Sequence, residues 1–316
     1  MKILITGANG FIGTALCAEL LRQGYAVRAA LRSAGPPIDT VDALVVGAIN
    51  GETDWSDALR GIDVVVHLAA RVHVMQDAVA DALAAYRDVN VDGTLNLAGQ
   101  AVQAQVRRFI FISSIKVNGE TTLLGQPYTA EGAPAPVDAY GISKREAEDG
   151  LRQLADATGM EVVVIRPPLV YGPGVKANFH SMMRWLDKGV PLPLGAIHNR
   201  RTLVALDNLV DLIVTCIDHP AAANQTFLAG DGEDLSTTDL LQRMAAALGK
   251  KARLIPVPMR LLAIAARLFG RQAMAQRLCG SLQVDSAKAR NLLGWMPPVS
   301  VDEALRRTAR YYRESR

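Results

Sequence analysis

Tyr140 and Lys144 lie four residues apart in Tyr140-Gly141-Ile142-Ser143-Lys144, a spacing that a helix stacks on one face. A phenol with an ammonium one turn away is a candidate proton donor and acceptor. The fixed cation favours the phenolate and draws its pKa down from about 10. Alone, the pair also fits an exposed helix face with a snorkelling lysine, so the surrounding elements must decide. The apolar run Arg108 to Ile112 ends in Ser113-Ser114, twenty-six residues before Tyr140. A strand there would bring a serine hydroxyl to the carboxyl edge of a sheet, where a phenol and an ammonium can meet it.

A second constellation binds rather than reacts. Gly7-Ala8-Asn9-Gly10-Phe11-Ile12-Gly13 follows the apolar run Lys2 to Thr6 and opens a helix-like segment, Phe11 to Gln23. Glycines so placed permit a tight turn, close approach of backbone N–H groups to a pyrophosphate at a helix N-terminus, and tight packing of helix on strand. The spacing is Gly-x-x-Gly-x-x-Gly, and the strand before and helix after make it a dinucleotide loop. NAD-binding versions carry a carboxylate at the end of the second strand for the ribose hydroxyls. Here that position reads Ala29-Ala30-Leu31-Arg32-Ser33, and the next acid, Asp39, lies beyond Pro36-Pro37. A guanidinium beside a hydroxyl suits a ribose 2′-phosphate, so NADP is the expected cofactor and NAD the alternative.

The elements that must position these groups alternate along the first half. Apolar runs at 2–6, 25–31, 44–46, 64–67, 109–113 and 162–166 are separated by helix-like segments, including 78–105 and 139–155. Strands apolar nearly throughout belong to a parallel sheet covered on both faces, which predicts an α/β, doubly wound, Rossmann-like domain. After Arg166 the chain fills with proline and glycine and then reads as helices with few strands. The expected division is a dinucleotide-binding domain over 1–166, with a segment around 203–230 returning to it, and a smaller, mostly helical substrate lobe over 167–316. Ligands would sit between them.

Bulk properties exclude other classes. A net charge of +3, with no run of basic residues, gives no footprint for nucleic acid. Cys17, Cys216 and Cys279 are far apart and have no metal-ligand spacing, so idle thiols in a reducing compartment and no metal are expected. The N-terminal apolar run stops at Thr6-Gly7 and no cleavage site follows, which predicts a cytosolic protein. Arg260 and Arg267 interrupt the apolar segment around Leu261 to Phe269, so no membrane span is expected; an amphipathic core helix is the favoured reading, with contact at a membrane surface as its alternative.

Taken together, the motifs resemble the extended short-chain dehydrogenase/reductase family, in its nucleotide-sugar epimerase, dehydratase and ketoreductase branch. They are the glycine loop, His67-Leu68-Ala69-Ala70, Asn90-Val91-Asp92-Gly93-Thr94, Ser113-Ser114, Tyr140 to Lys144, Arg166 to Pro173 and Asp207-Asn208-Leu209-Val210. The resemblance implies that Tyr140 exchanges a proton with a sugar oxygen, that Ser114 (with Ser113 as rival) bonds that oxygen, and that Lys144 holds the nicotinamide ribose. It further implies dinucleotide contacts at Gly7, Asn9, Gly10, Phe11, Ile12, Gly13, Arg32, Leu68, Ala69, Ala70, Asn90 and Pro167. For the nucleotide-sugar substrate it implies Asn178 and Arg201 near the diphosphate, with Lys116, Lys176 and Arg277 as further candidates. Asn178 as a helix cap is the competing expectation.

The chain departs from the branch in several places. Ile115-Lys116 stand where similar 4,6-dehydratases carry Asp-Glu, which argues against dehydration. Leu169 replaces a frequent asparagine, Ala48 a frequent aspartate, and an Arg-Pro pair is missing near Gly280-Ser281. His67 and His73 read as structural. The resemblance and Arg32 together favour an NADPH-dependent reductase of the C4 ketone of a nucleotide-linked 4-keto-6-deoxy-N-acetylhexosamine, in surface polysaccharide (O-antigen or capsule) precursor synthesis. The alternative is a UDP-hexose 4-epimerase with tightly held NAD. A non-catalytic NADP sensor is the distant one, since such sensors lose the tyrosine or lysine. The family also implies a homodimer through the helices around 78–105 and 139–157.

Overall fold

The structure, a computed structural model, describes residues 1–34, 41–72, 82–268, 270 and 272–315. His73, Asp39, Pro36-Pro37 and the first residues of the helix expected from Ala78 lie outside them. In chain order the first half runs β1 (Lys2–Thr6), α1 (Phe11–Arg22), β2 (Ala26–Leu31), β3 (Asp42–Val45), α2 (Ser56–Leu59), β4 (Val64–His67), α3 (Ala82–Arg87), α4 (Gly93–Gln103), β5 (Arg108–Ile112), α5 (Ala139–Thr158) and β6 (Glu161–Arg166). The second continues with β7 (Leu169–Tyr171), α6 (Ala177–Asp187), β8 (Arg201–Ala205), α7 (Leu206–Asp218), β9 (Thr226–Leu228), β10 (Asp234–Leu235), α8 (Thr237–Ala247), α9 (Met259–Leu268), α10 (Gln272–Cys279), α11 (Ala287–Leu293) and α12 (Val301–Glu314).

Seven parallel strands form one sheet in the order β3-β2-β1-β4-β5-β6-β9. The central strands are buried along their length because both faces are covered. Ile3, Ile5, Val64, Val66, Ile110, Val163 and Ile165 face α1 and α7, and their neighbours Leu4, Val65, Phe109, Phe111, Val162 and Val164 face α4 and α5. That alternation follows from the two-residue period of a strand. The chain order turns back between β1 and β4, so the loops after these strands open a crevice at their carboxyl ends. This is the doubly wound Rossmann-like sheet expected from the sequence.

Two helical details bear on the site. Between α3 and α4 the helix continues through a π-helical turn, Asp88–Asp92, which inserts Asn90 toward the interior. Helix α5 starts where Asp138 Oδ1 accepts a bond from the Gly141 N–H (2.7 Å) and ends at Gly159, whose φ of 78° suits a glycine.

After β6 the chain builds a lobe with a three-stranded sheet, β10-β8-β7, packed by α6, α8 and α12 through Phe179, Met183, Leu203, Leu241 and Leu305. It also returns to the large sheet, where β9 lies beside β6 and α7 packs with α1. Helix α9 differs from the core helix expected. Met259 and Leu262 pack against the lobe, yet no residue of α9 is buried and Leu261, Ile264 and Leu268 are exposed. Both faces of α9 are apolar, and the lobe covers one of them.

Candidate active site

The glycine loop lies at the crossover. Gly7 holds φ +69°, and a Cβ on it would sit 2.9 Å from the Ala69 nitrogen, so only glycine lets the loop after β1 close on the loop after β4. Gly13 is more restricted still, since a Cβ there would meet the Gly7 carbonyl oxygen at 2.1 Å. Gly10, at the N-cap of α1, offers no side-chain cap, and the first turn holds no acidic residue. The helix therefore presents N–H groups and a positive dipole end to the crevice, which fits a dinucleotide pyrophosphate. Asn9 is exposed at the mouth, and Phe11 and Ile12 are half-buried beneath it. Gly174, at φ +86°, brings the loop after β7 over Phe11.

The loop Leu68-Ala69-Ala70 is tied down from below. Thr6 Oγ1 accepts from the Ala69 N–H (3.1 Å) and is bonded to His67 Nδ1 (2.7 Å), while His67 Nε2 is bonded to Thr94 Oγ1 (3.0 Å). Burial first, and then Lys144, push the His67 pKa down to about 3, so the ring is a neutral strut, as its sequence context implied. Asn90 lies one layer back from the crevice. Its Nδ2 donates to the Arg71 carbonyl (3.1 Å) and Ser143 Oγ (3.0 Å), and its Oδ1 accepts from the Arg71 N–H (2.8 Å). These bonds make the Asn90 amide, expected among the dinucleotide contacts, a link between this loop and α5.

Ser114 and Tyr140 meet at the ends of β5 and α5. Ser114 caps a short 3₁₀ turn, accepting from the Lys116 N–H (3.2 Å), and its side chain lies near enough to the Tyr140 phenol to draw that group's pKa down. Ser113 turns the other way, donating to Glu148 Oε1 (2.5 Å) inside the core, so the geometry separates the two serines. Pro167 closes the far side, its carbonyl accepting from the Ile115 N–H (3.0 Å). The Tyr140 pKa moves opposite to the direction expected. Burial, then Asp138, push it up to about 12, with Ser114 pulling down and Tyr86 adding to the rise. Lys144 lies one turn away, but its Nζ donates to the Ile112 carbonyl (2.9 Å) over the Phe111 ring and is pushed down to about 7 by burial, with Glu148 opposing.

Beneath this cluster lies a buried network that sequence reasoning missed. Arg166 donates through Nε and Nη2 to both carboxylate oxygens of Glu148 (2.9 and 2.5 Å) and through Nη1 to Asn118 Oδ1 (2.9 Å). Glu148 also accepts from Ser113 and from Arg152 (2.7 Å). The signal was available: Tyr140, Lys144 and Glu148 repeat every four residues on one helix face.

The substrate candidates are less converged. Lys116, one of the substrate candidates, is paired with Asp138 and with Glu120 (2.9 Å). Since Asp138 caps α5, Lys116 braces the helix start that carries Tyr140. Arg201 Nη1 donates to the carbonyls of Arg277 (3.1 Å) and Gly280 (3.0 Å), so β8 and the end of α10 are joined and this arm of the guanidinium is spent on backbone. Arg277 is exposed. Asn178 is exposed in the first turn of α6, and the N-cap is Lys176 instead, so the capping role is excluded. Arg32 is exposed just past β2.

A parallel sheet of this order, with a glycine loop at its crossover and Ser114, Tyr140 and Lys144 at the neighbouring strand end, defines an oxidoreductase-class enzyme of the extended short-chain dehydrogenase/reductase type. The chain belongs to the NAD dependent epimerase/dehydratase family, which matches residues 3–230. It is 51% identical over 315 residues to a UDP-glucose 4-epimerase of Vibrio cholerae, covering 98% of this chain and 95% of that one. Among solved structures, a UDP-N-acetylglucosamine 4-epimerase from Bacillus cereus superposes with TM-score 0.81 at 21% identity, covering 99% of each chain. A UDP-glucuronic acid 4-epimerase from the same organism, in complex with NAD, superposes with TM-score 0.78 at 24% identity, covering 100% of this chain and 99% of that one. These two establish the shared fold. The comparisons favour epimerases over the ketoreductase expected from the sequence.

Proposed function

We infer that the chain inverts the C4 centre of a nucleotide-linked hexose, keeping one nicotinamide dinucleotide through the cycle. The observation that carries this is the likeness, 51% identity over 98% of the chain, to a UDP-glucose 4-epimerase in a chain that sets Tyr140 near Ser114 at the crevice. An oxidised dinucleotide held at the glycine loop and the N-terminus of α1 would supply reversible hydride transfer at C4 and positive charge beside the phenol. Tyr140 takes the C4 hydroxyl proton as that hydride leaves and returns it to the same oxygen when the opposite face of the ketone is reduced. Ser114 holds that oxygen through both halves. Lys144, one helical turn below, supplies a second positive charge in its protonated form, which burial confines to pH below about 7.

Elimination of water has no support, because Lys116 occupies the place of an acid and is itself paired with Asp138 and Glu120. Asn9 and the N-terminus of α1 would hold the pyrophosphate, and Asn178 and Arg277, exposed on the lobe, would reach the sugar nucleotide. Cytosolic, dimeric operation and a role in surface polysaccharide supply belong to the same reading.

One observation favours a second reading, NADPH-dependent reduction of a nucleotide-linked 4-ketosugar. Arg32 and Ser33 are exposed past β2, and among the described residues no carboxylate stands at that strand's end. The deciding experiment incubates the purified chain with UDP-glucose and with UDP-N-acetylglucosamine, adding no reductant, and follows the sugars by proton NMR. A parallel reaction supplies NADPH and UDP-4-keto-6-deoxy-N-acetylglucosamine and follows the reduced cofactor's absorbance. Interconversion of the C4 epimers without net cofactor turnover is expected. Stoichiometric NADPH oxidation with no epimerisation would replace the epimerase by the reductase.

A further inference from the structure

We propose that the outer face of α9 seats the protein on an anionic lipid bilayer surface. From Leu240 to Val284 the sequence holds Arg243, Lys250, Lys251, Arg253, Arg260, Arg267, Arg271 and Arg277 and not one aspartate or glutamate. The whole chain sums to only +3, so the rest of it is net negative and this stretch is a cationic island. Arg243 pairs with Glu233 and Asp302, and Lys250 with Asp187. Lys251, Arg253, Arg260 and Arg267 are exposed and form no ion pair among the described residues.

Within the island, α9 has two apolar stripes a helix-width apart. Met259 and Leu262 face inward and pack on the lobe. Leu261, Ile264 and Leu268, at spacings of three and four, share the outer face and are 56%, 57% and 79% exposed. Ala265 is exposed on that face, and Ile255, just before the helix, is 51% exposed. A surface helix of a water-bathed protein has a polar outer face; one that is apolar outside and flanked by arginines has the composition of a helix lying in a membrane interface. The aliphatic side chains would enter the headgroup boundary while the guanidinium groups of Arg260 and Arg267 meet lipid phosphates. No helix among the described residues is long and apolar enough to cross a membrane, so the contact is a seat and not a span.

Charge decides between occupants. A second copy docked on this face by a two-fold axis would press Arg260 and Arg267 toward their own equivalents, with no acidic residue in the island to offset them. A single ridge of four side chains also falls short of the roughly 800 Å² per partner of a stable protein interface. An anionic bilayer supplies both the apolar depth and the opposite charge. Helix α10 follows directly and its end is bonded to Arg201, so docking would place the substrate lobe, and not the dinucleotide domain, next to the lipid.

The test sediments the full chain with vesicles of phosphatidylglycerol and phosphatidylethanolamine, and with vesicles of phosphatidylcholine alone. Binding to the anionic vesicles is expected, with little to the neutral ones and a loss on adding salt. Leu261→Ser/Ile264→Ser/Leu268→Ser, and separately Arg260→Gln/Arg267→Gln, should each weaken it by at least about tenfold. Both variants should keep the parent's melting temperature and its turnover of a soluble nucleotide sugar. Equal sedimentation of parent and variants, or none by the parent, overturns the proposal. So does a dimer that the leucine variant splits in light scattering, because a second copy would then cover α9, or capture by an acidic protein without vesicle binding.

Discussion

At the scale of single residues, Tyr140 and Lys144 are set against each other by burial. Both charged forms are penalised, so the phenol is held up to about 12 and the ammonium down to about 7. Substituting Tyr140→Phe keeps the ring and removes the proton, so kcat should fall by roughly 10²–10⁴ while dinucleotide affinity, read by calorimetry, stays unchanged. Retained turnover would move the acid elsewhere. Lys144 gives a stability signature. Its folded pKa, about 7, lies below the ordinary 10.5, so between those values the unfolded chain binds a proton that the folded chain lacks. Folding stability contributed by this group therefore rises with pH through that window, and the cost of burying the cation is greatest below about pH 7. Around Lys144 the charged or titratable groups are Glu148 and Tyr140 on α5 and His67 on β4. Lys144→Met removes the titration. Its urea midpoint relative to the parent should stand highest below about pH 7 and converge toward about pH 10. A gap that does not change with pH would mean that Lys144 titrates as a solvated lysine.

Elements are held at their active ends by polar groups in a dry core. Glu148 on α5 and Arg166 at the end of β6 are both buried and doubly bonded, so strand and helix are locked directly beneath Ser114 and Lys144. Leaving either charge alone in that core is costly. Glu148→Leu or Arg166→Met should each lose about 3–5 kcal/mol of unfolding free energy. The double variant should lose much less than the sum, which denaturant titration of the four proteins measures as a coupling. Additive losses would show that the pair does not act as a unit. Much at this scale was legible beforehand. Ile3-Leu4-Ile5, Val64-Val65-Val66 and Phe109 to Ile112 are apolar without alternation because both sheet faces are covered, and that is visible in one dimension. The partners of polar groups were not. Lys116 shows its charge but not Asp138, remote in sequence, that pairs with it, and Arg201 does not show the carbonyls at Arg277 and Gly280 that arrive from another element. Which of the two readings of α9 holds, core helix or surface contact, was hidden for a related reason, since periodicity marks an apolar stripe but not what covers it.

The whole molecule joins a sheet, whose loops close on a dinucleotide, to a lobe that returns a strand and a helix to that sheet through β9 and α7. Binding at the crossover should therefore stabilise the fold as one body. A ligand present at a hundred times its Kd adds about 2.7 kcal/mol, which for a chain of this size raises Tm by roughly 4–8 °C. The variants divide this response from the chemistry. Tyr140→Phe should show the full rise with no turnover, because the phenol contributes a proton and not the cradle. Gly13→Ala should show little of it, because its Cβ would stand 2.1 Å from the Gly7 carbonyl oxygen and push open the turn that receives the pyrophosphate. Running the same scan with NAD and with NADP also tests Arg32: a larger rise with NADP, cut to the NAD level by Arg32→Ala, would place the 2′-phosphate at the end of β2. Equal rises that Arg32→Ala leaves untouched would make Arg32 a solvated charge and leave the retained cofactor of an epimerase as NAD.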